Sequence, residues 1–307
     1  METEPDRSPL VIWRLLDGRR GHFTQIEGLS RAIAERTPVQ VHNLTVGRRA
    51  GHLLDWLLGR FPPGDRLRPP SLILAAGHAT HLAALAARRA CGGRIVVLMQ
   101  PSLPLAWFDL CLIPEHDEPP QRANVIATRG AITTVRPSHR HDPATGLILL
   151  GGPSRHYAWD TGAILDQVRQ IVAAQPQIRF RIGDSPRTPP ETREAISSID
   201  DIGMIPWEQT RPGEIQQAMA EAGQVWVSED SVSMLYEAVS SGAPTGLLKV
   251  PRRRDTRISR GVDRLIAEKA ATPFALWSTD GGLAPPAGLD EASRCADEIL
   301  RRWPLDA

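Results

Sequence analysis

Short apolar runs alternate with helix-period segments along most of this chain, and that alternation constrains the fold more than any other feature. In the first half the runs are Leu10–Leu15, Val39–Leu44, Ser71–Ala75, Arg94–Leu98, Leu110–Ile113 and Val125–Thr128. In the second half they are Gly146–Leu150, Ile178–Ile182, Ile202–Ile205, Gln224–Val227 and Thr245–Leu248. Helix-period segments of the second half are Thr161–Ala174, Glu191–Ser198, Glu214–Ala222 and Ser231–Ser241. Because strands separated by helices form parallel sheets covered on both faces, the pattern predicts an α/β fold.

The length predicts two domains, since 307 residues exceed the usual domain size of about 100–200 residues. The polar, proline-flanked stretch Arg136–Pro143 has the composition of a linker. We therefore expect a Rossmann-like domain over residues 1–138, a second over 139–288, and a C-terminal helix within 289–307 that packs back on the first. Two such domains predict a cleft between the carboxyl edges of two facing parallel sheets.

The composition excludes several classes of protein. With 36 basic and 35 acidic residues the net charge is +1, so no global field attracts nucleic acid, and any anion site must be local. The three cysteines have neither metal-type spacing nor the pattern of a disulfide framework, which favours a reducing cytoplasm. The polar start of the chain and the absence of a long apolar run predict no secretory signal and no transmembrane helix. Peripheral contact with a membrane stays open.

The first strand-to-helix turn, within Leu15–Gln25, carries a candidate acid–base pair. Gly18 and Gly21 would let the backbone turn tightly and approach a ligand, while the following helix offers free N–H groups to an anion. Asp17 and His22 would then face the same space, and a neutral histidine can act as a general base. The alternative is that Asp17 caps the turn and His22 donates to a backbone carbonyl.

A second glycine-rich turn, Gly151–Asp160, follows a strand and precedes a helix. Gly152 permits close approach of a ligand, Ser154 offers a hydroxyl, and Arg155 offers a cation suited to phosphate. The alternative is an ordinary turn in which Asp160 caps the helix and Trp159 fills the core.

The third turn, Ser228–Glu237, opens a helix. Its serines can donate to a diphosphate at the positive helix end. Glu237 lies eight residues after Glu229, about two turns or ~12 Å along a continuous helix, so one carboxylate could meet a sugar and the other a ribose. Helix capping by Glu229, Asp230 or Ser231 is the alternative, because capping uses the same residue types.

Three further segments have simpler interpretations. Pro114–Asp117 ends a strand with three titratable residues that could bind a metal or shuttle protons. Sequential side chains rarely converge on one ion, so we expect no metal there. His78 and His81 lack a third ligand, which favours capping and packing. Lys249–Arg254 is expected to be a solvated charge run, although it could also touch a phosphate or a lipid headgroup.

Taken together, the turns form a series of motifs: D-G-x-x-G-H-x-x-Q (Asp17–Gln25), Q-P (Gln100-Pro101), F-D-L and P-E-H-D (within Phe108–Asp117), G-G-P-S-R-H-Y-x-W-D (Gly151–Asp160), S-x-R-T-P (Ser185–Pro189) and S-E-D-S-V-S-M (Ser228–Met234). From Leu10 to Phe274 the chain resembles the mitochondrial-fission (elongated-mitochondria) family, whose bacterial members are described as nucleotide-sugar glycosyltransferases of the lipopolysaccharide outer core. It departs from the family at Gly77–Thr80, where an arginine pair usually follows the glycine.

The resemblance implies the GT-B architecture, in which the second domain binds a nucleotide-sugar donor and the first domain binds the acceptor. We expect the donor to be UDP-linked. We expect no required metal or other cofactor, because helix ends and Arg155 can neutralise the leaving diphosphate. The expected catalytic residues are His22, Asp17 and Glu229. The expected donor-binding residues are Gly152, Ser154, Arg155, Ser185, Arg187, Glu229, Asp230, Ser231, Ser233 and Glu237. The expected acceptor-side residues are Gly18, Gly21, Gln25, Gln100, Glu115 and His116.

Three functions follow as hypotheses. The first is a cytoplasmic glycosyltransferase, in peripheral contact with the inner membrane, that acts on an envelope glycolipid or glycan. The second is a non-catalytic adaptor on the same scaffold, because plant members of the family are described as recruiting a dynamin-related protein. The third is a nucleotide-sugar epimerase or hydrolase.

Overall fold

The computed structural model describes residues 9–47, 51–199 and 202–304. The polar N-terminal segment on which the expectation about secretion partly rests lies outside them. The chain divides into two compact units, the first made of residues 1–134 and 291–307 and the second of residues 135–290. No helix among the described residues combines the length and the apolar character required to span a bilayer.

In the first unit a parallel sheet of six strands is described, in the order β2-β1-β3-β4-β5-β6. The strands are β1 (Leu10–Leu16), β2 (Val39–Thr45), β3 (Leu72–Ala76), β4 (Arg94–Leu98), β5 (Leu110–Pro114) and β6 (Val125–Thr128). The helices are α1 (Arg20–Ala34), α2 (Gly51–Leu58) and α3 (His78–Cys91), to which α10 (Glu291–Arg302) returns from the far end of the chain.

Alternation along the strands separates two apolar layers on the faces of this sheet. Leu10 and Ile12 of β1 point into one layer together with α1 and α10. Val11, Trp13 and Leu15 point into the other layer, where the alanine-rich face of α3 covers the sheet. Because both layers are filled, the central strands are buried on both faces, which explains their continuous apolar sequences.

The second unit contains a parallel sheet whose described strands lie in the order β12-β11-β10-β7-β8-β9. The strands are β7 (Asp142–Leu149), β8 (Arg179–Gly183), β9 (Gly203–Ile205), β10 (Ala222–Ser228), β11 (Thr245–Leu248) and β12 (Thr272–Pro273). The helices are α4 (Thr161–Ala174), α5 (Pro190–Ser197), α6 (Glu214–Glu221), α7 (Val232–Ser240), α8 (Arg257–Ala267) and α9 (Phe274–Asp280).

This second sheet is also covered on both faces. One apolar layer includes residues of α6, α7 and α8, and the other includes residues of α4, α5 and α9. Trp226 of β10 is fully buried and meets the ring of Trp277 edge-on, with centroids 5.2 Å apart. Two six-stranded parallel sheets with helices on both faces confirm the predicted α/β class.

The segment expected to be a linker differs from the prediction. β7 begins at Asp142, and the residues before it are bonded to the second unit: Ser138 N donates to Ser241 O at 2.8 Å, and His141 Nδ1 lies 2.9 Å from Ala222 O. Polar composition alone cannot distinguish a free linker from a polar strand edge. The chain passes between the units at Thr134–Val135 and again at Asp290–Glu291.

Candidate functional site

The first candidate site lies at the carboxyl edge of the first sheet, where the strand order reverses. β1 pairs with β2 on one side and with β3 on the other, and the helices after β1 and β3 cover opposite faces. Such a reversal leaves a crevice beyond the strand ends, the usual ligand site of open α/β sheets. The loop Asp17–Arg19 follows β1, and Gly77 follows β3.

Asp17 and His22 form a hydrogen-bonded pair at this reversal. His22 Nδ1 lies 2.8 Å from Asp17 Oδ2, and the other carboxylate oxygen of Asp17 accepts from Arg19 N at 3.1 Å. The Asp17 side chain is 5% exposed and that of His22 is 17% exposed. The carboxylate therefore holds Nδ1 protonated, which leaves Nε2 as the basic nitrogen of a partly accessible ring. No hydrogen bond from the described residues uses that nitrogen.

Gly77 is packed directly against this pair. A Cβ at position 77 would overlap the imidazole of His22 and come within 3.0 Å of Asp17 Oδ2. Its φ of +85° is also one that other residues rarely adopt. Gly77 thus makes room for the acid–base pair.

The two glycines of the first turn have different roles. Gly18 has φ +80°, as the prediction of a tight turn requires. The prediction for Gly21 is corrected, because this residue lies in the first turn of α1 and a Cβ there would meet open space. The start of α1 has no side-chain cap, so its first N–H groups are available to an acceptor.

Of the other residues predicted for the acceptor side, Gln25 lies in α1, whereas Gln100, Glu115 and His116 follow neighbouring strands. Gln25 Nε2 lies 3.3 Å from the sulfur of Met99, the residue after β4, and the exposed Gln100 comes next. Glu115 and His116 form a short 3₁₀ turn after β5, two strands beyond β3. All of them therefore lie at the same sheet edge as the pair, at increasing distance along it.

The second candidate site lies where the strand order of the second sheet reverses, between β7 and β10. The loop starting at Gly151 follows β7, and the loop Glu229–Ser231 follows β10. This is the position at which Rossmann-like sheets bind mononucleotides. The two turns selected from the sequence are thus brought side by side.

Asp230 joins these two loops. Its side chain is fully buried, and its carboxylate accepts from Gly152 N at 2.9 Å and from Ser228 Oγ at 2.7 Å. Arg187 NH1 forms an ion pair with it at 2.8 Å. Burial raises the pKa of Asp230, while these donors oppose the rise. Asp230 thus fixes the loops in place, and its carboxylate is already occupied by protein donors.

The loop after β8 clamps the glycine turn from the other side. Ser185 Oγ donates to Gly151 O at 2.9 Å, and Arg187 NH1 donates to Gly152 O at 2.7 Å. A Cβ on Gly152 would overlap the carbonyl of Arg187. Glycine is required here by the protein's own backbone. Ser185 and Arg187 therefore shape the turn.

Glu229 is held by a basic residue from the segment expected to be solvated. Arg252 bonds the Glu229 carboxylate and also pairs with Asp263 Oδ1 at 2.6 Å. Burial raises the pKa of Glu229, and the charge of Arg252 opposes the rise. The expectation of a solvated run is therefore wrong for Arg252, because buried carboxylates attract cations that periodicity cannot detect.

The glycine-rich turn combines both interpretations of its sequence. Ser154 Oγ accepts from His156 N and Tyr157 N at 3.2 and 3.1 Å, and the exposed Arg155 lies beside it. Asp160 Oδ1 caps α4 by accepting from Ala163 N at 3.0 Å. The turn is therefore locally stabilised while its guanidinium stays accessible.

The start of α7 lacks the capping that was the alternative interpretation. Ser231 occupies the N-cap position without a side-chain hydrogen bond to the helix, and Ser233 is exposed. Further along the helix, the half-buried Glu237 accepts from Gln216 Nε2 at 3.2 Å. The hydroxyls and helix N–H groups at this end can therefore bind an anion.

One candidate residue of this site was not predicted from the sequence. Trp207 follows β9 and is 39% exposed, and its ring lies 5.9 Å from the guanidinium carbon of Arg193. Asp184, after β8, accepts from Trp207 N at 2.7 Å and pairs with Arg193 Nε at 2.7 Å. The sequence signal that could have identified Trp207 is its position two residues after the carboxyl end of a strand.

Among the residues that the structure describes, no group of three or more His, Cys, Asp or Glu side chains is arranged to hold a metal ion.

Comparison with known proteins places the fold. The structure resembles the UDP-GlcNAc 2-epimerase from Neisseria meningitidis bound to UDP-GlcNAc, with a TM-score of 0.56 and 12% identity over 95% of this chain and 99% of that one. It also resembles the glycotransferase of kitacinnamycin, with a TM-score of 0.52 and 14% identity over 97% and 100% of the two chains. At such identities the likeness shows the fold alone, which is GT-B.

Sequence comparison identifies the family. An uncharacterized protein of Rickettsia prowazekii (strain Madrid E) is 20% identical over 259 residues, which cover 68% of this chain and 73% of that protein. The sequence model described as Mitochondrial fission ELM1 matches residues 20–303. Because that match spans most of this chain, the chain belongs to the mitochondrial fission ELM1 family.

Proposed function

We propose that this protein is a cytoplasmic glycosyltransferase that moves a sugar from a nucleotide-diphosphate donor, UDP-linked, to a hydroxyl of an envelope glycolipid such as the lipopolysaccharide outer core. The Asp17–His22 pair carries the proposal, because a buried carboxylate bonded to a partly accessible imidazole is the arrangement of a general base.

In the proposed reaction His22 Nε2 takes the proton of the acceptor hydroxyl. The acceptor oxygen then forms a bond to the anomeric carbon, while the bond to the donor's diphosphate breaks and its electron pair leaves with the diphosphate. Asp17 stabilises the imidazolium that results. This course inverts the anomeric centre. The engagement of Glu229 with Arg252 supports it over a retaining course in which Glu229 stabilises the sugar.

The second unit would hold the donor at the β7–β10 reversal. The uncapped start of α7 with Ser231 and Ser233, together with Arg155, would neutralise the leaving diphosphate without a metal. Glu237 would accept from the ribose hydroxyls, and the exposed face of Trp207 would stack on the base. The same fold in an epimerase bound to UDP-GlcNAc supports this assignment.

Nucleotide binding tests the donor site. A panel of nucleoside diphosphates and their sugars is measured by thermal shift, and a ligand at a hundred times its Kd should stabilise the protein by about 2.7 kcal/mol. Glu237→Ala should abolish that shift. Glu221→Ala is the control, because Glu221 is exposed just before the first residue of β10, at the opposite edge of the sheet. If no nucleotide binds, the adaptor hypothesis replaces this one.

Loss of the base tests catalysis. His22→Ala should lower transfer to a glycolipid acceptor by about 10²–10⁴-fold, with the nucleotide shift unchanged. His78→Ala is the matched control, since His78 is exposed in the first turn of α3. Equal transfer rates for His22→Ala and the unmodified protein would contradict the proposed role.

The likeness to an epimerase supports a second candidate, nucleotide-sugar epimerisation or hydrolysis. Incubation of the donor without any acceptor distinguishes the two functions. A transferase leaves the donor unchanged, whereas an epimerase produces its isomer and a hydrolase releases the free sugar.

A further inference from the structure

Helix α2 presents a stripe of leucines to solvent. Leu53, Leu54, Leu57 and Leu58 are 49%, 51%, 57% and 59% exposed, whereas His52 on the opposite side is buried. Positions i, i+1, i+4 and i+5 lie on one side of a helix, so the four side chains form one continuous surface. An apolar stripe on a short helix that packs against the sheet layers only through its other side requires an explanation.

An aromatic residue extends this surface. The ring of Trp107 stacks on that of Trp56 in α2, with centroids 6.2 Å apart and planes 21° apart, and Trp107 is itself 41% exposed. We call Leu53, Leu54, Leu57, Leu58 and Trp107 the α2 surface. Leucine with tryptophan is the composition that inserts at the boundary between headgroups and acyl chains.

Arginines lie at the end of α2 and in the segment that follows it. The Arg89 side chain lies beside the end of the helix, with Nε 3.6 Å from the position of a Cβ on Gly59, and Arg60, Arg66 and Arg68 are exposed. The nearest acid, Asp55, is mostly buried and already paired with Arg60 at 2.8 Å. Of the described residues from Gly51 to Arg68, three are arginines and two are aspartates, and Arg89 adds a further positive charge. This local excess of positive charge complements anionic headgroups.

The size of the α2 surface argues against a second copy of the chain as its partner. Four leucines and one tryptophan, each about half exposed, offer on the order of a few hundred Å² of accessible area. A stable protein interface buries about 800 Å² on each partner. A bilayer requires only that a few side chains insert.

We infer that the α2 surface docks this protein on an anionic lipid bilayer. α2 follows β2, whose carboxyl end lies beside that of β1, so its start and the Asp17–His22 pair share one sheet edge. Docking would therefore bring the base towards a lipid-linked acceptor. The choice of acceptor rests on the proposed function, but docking itself does not.

Vesicle flotation of the full-length protein tests this inference. The protein should float with vesicles of phosphatidylcholine and phosphatidylglycerol, and much less with phosphatidylcholine alone. Leu53→Gln/Leu57→Gln should weaken binding by about tenfold or more, since two exposed leucines no longer leave water. Leu276→Gln is the matched control, because Leu276 is 52% exposed on α9 of the second unit. It should bind as the unmodified protein does.

Three results would overturn the inference: no flotation of the unmodified protein, equal flotation of the double variant, or a dimer by light scattering that the double variant dissociates. The nucleotide thermal shift, measured without vesicles, should be the same in all three proteins. If no nucleotide shifts the unfolding temperature but the protein still floats with vesicles, only the proposed donor site is contradicted. If a nucleotide shifts the unfolding temperature but the protein does not float, only docking is contradicted.

Discussion

Gly77 has no side chain, and this absence leaves the space in which the His22 ring contacts the carboxylate of Asp17. The sequence interpretation selected Asp17 and His22 from their place after the first strand, and the structure brings them within 2.8 Å of each other. It did not select Gly77 as a neighbour of the pair, because the contact depends on the order of strands β1 and β3 in the sheet. Contacts across a sheet are not readable from spacing along the chain.

Gly77→Ala should lower transfer activity by displacing the His22 ring. Gly92→Ala is the matched control, since Gly92 also has positive φ (+78°) but a Cβ there would meet open space. Both variants should lose stability through backbone strain, by about 1–3 kcal/mol. Only Gly77→Ala should lose turnover beyond that effect, as measured by initial rates at a temperature where both are folded. Equal losses would show that Gly77 matters only for its backbone.

His81 predicts a pH dependence of stability. Burial, with smaller contributions from His78 and His22, lowers the pKa of His81 to about 4, and its Nε2 is buried without a partner among the described residues. The unfolded chain titrates near 6.5, so it binds more protons in this window, and stability should fall as the pH drops from about 6.5 to about 4. The difference corresponds to on the order of 3 kcal/mol.

Thermal unfolding between pH 7 and acid conditions, at intervals across about pH 4–6.5, measures this effect. His81→Leu should flatten the dependence relative to the unmodified protein. His139→Leu, which removes an exposed histidine, should leave it unchanged. Parallel curves for His81→Leu and the unmodified protein would contradict the assignment.

At the scale of elements, strong periodicity predicted strands and helices well. β4, β6 and β11 and helix α4 have the predicted ends, because β-branched runs and regular apolar spacing are bounded by turn residues there. β12 was not predicted, since a two-residue strand containing proline has no period. The exposed leucines of α2 were also unpredictable, because an apolar helix has the same sequence whether it faces a core or solvent.

The loops of the second unit depend on one buried carboxylate. Asp230→Ala should destabilise this unit by about 3–5 kcal/mol, because it leaves Gly152 N–H and the guanidinium of Arg187 without their common acceptor. It should also weaken nucleotide binding, since the glycine turn loses its anchor. Chemical denaturation and the thermal shift measure the two effects. Asp255→Ala is the control, as that side chain is 90% exposed, and an equal loss there would contradict this role.

At the scale of the whole molecule, the first unit is discontinuous in sequence. α10 supplies Ala292, Cys295, Ala296 and Ile299 to the apolar layer that covers Leu10 and Ile12. Arg36 on the segment after α1 pairs with Asp297, and Glu291 accepts from Arg129 N at 3.0 Å. The last helix is therefore part of the first unit's core.

Ile299→Ala should destabilise the first unit by about 2–5 kcal/mol, the usual range for a cavity left by a buried isoleucine. Hydrogen exchange should show faster exchange in β1 and α1. Arg301→Ala, on the exposed side of the same helix, should change stability by less than about 1 kcal/mol. Unchanged exchange in β1 after Ile299→Ala would show that α10 contributes little to that layer.

Translation makes the first sheet before the helix that covers it. When residues 10–128 leave the ribosome, the layer containing Leu10 and Ile12 still lacks α10, and residues 135–290 must be synthesised before that helix exists. The second unit, continuous in sequence, can complete its core earlier. The layer around Leu10 and Ile12 therefore lacks its α10 contacts until residues 291–302 have been synthesised, and we expect chaperones to bind these apolar side chains during that interval.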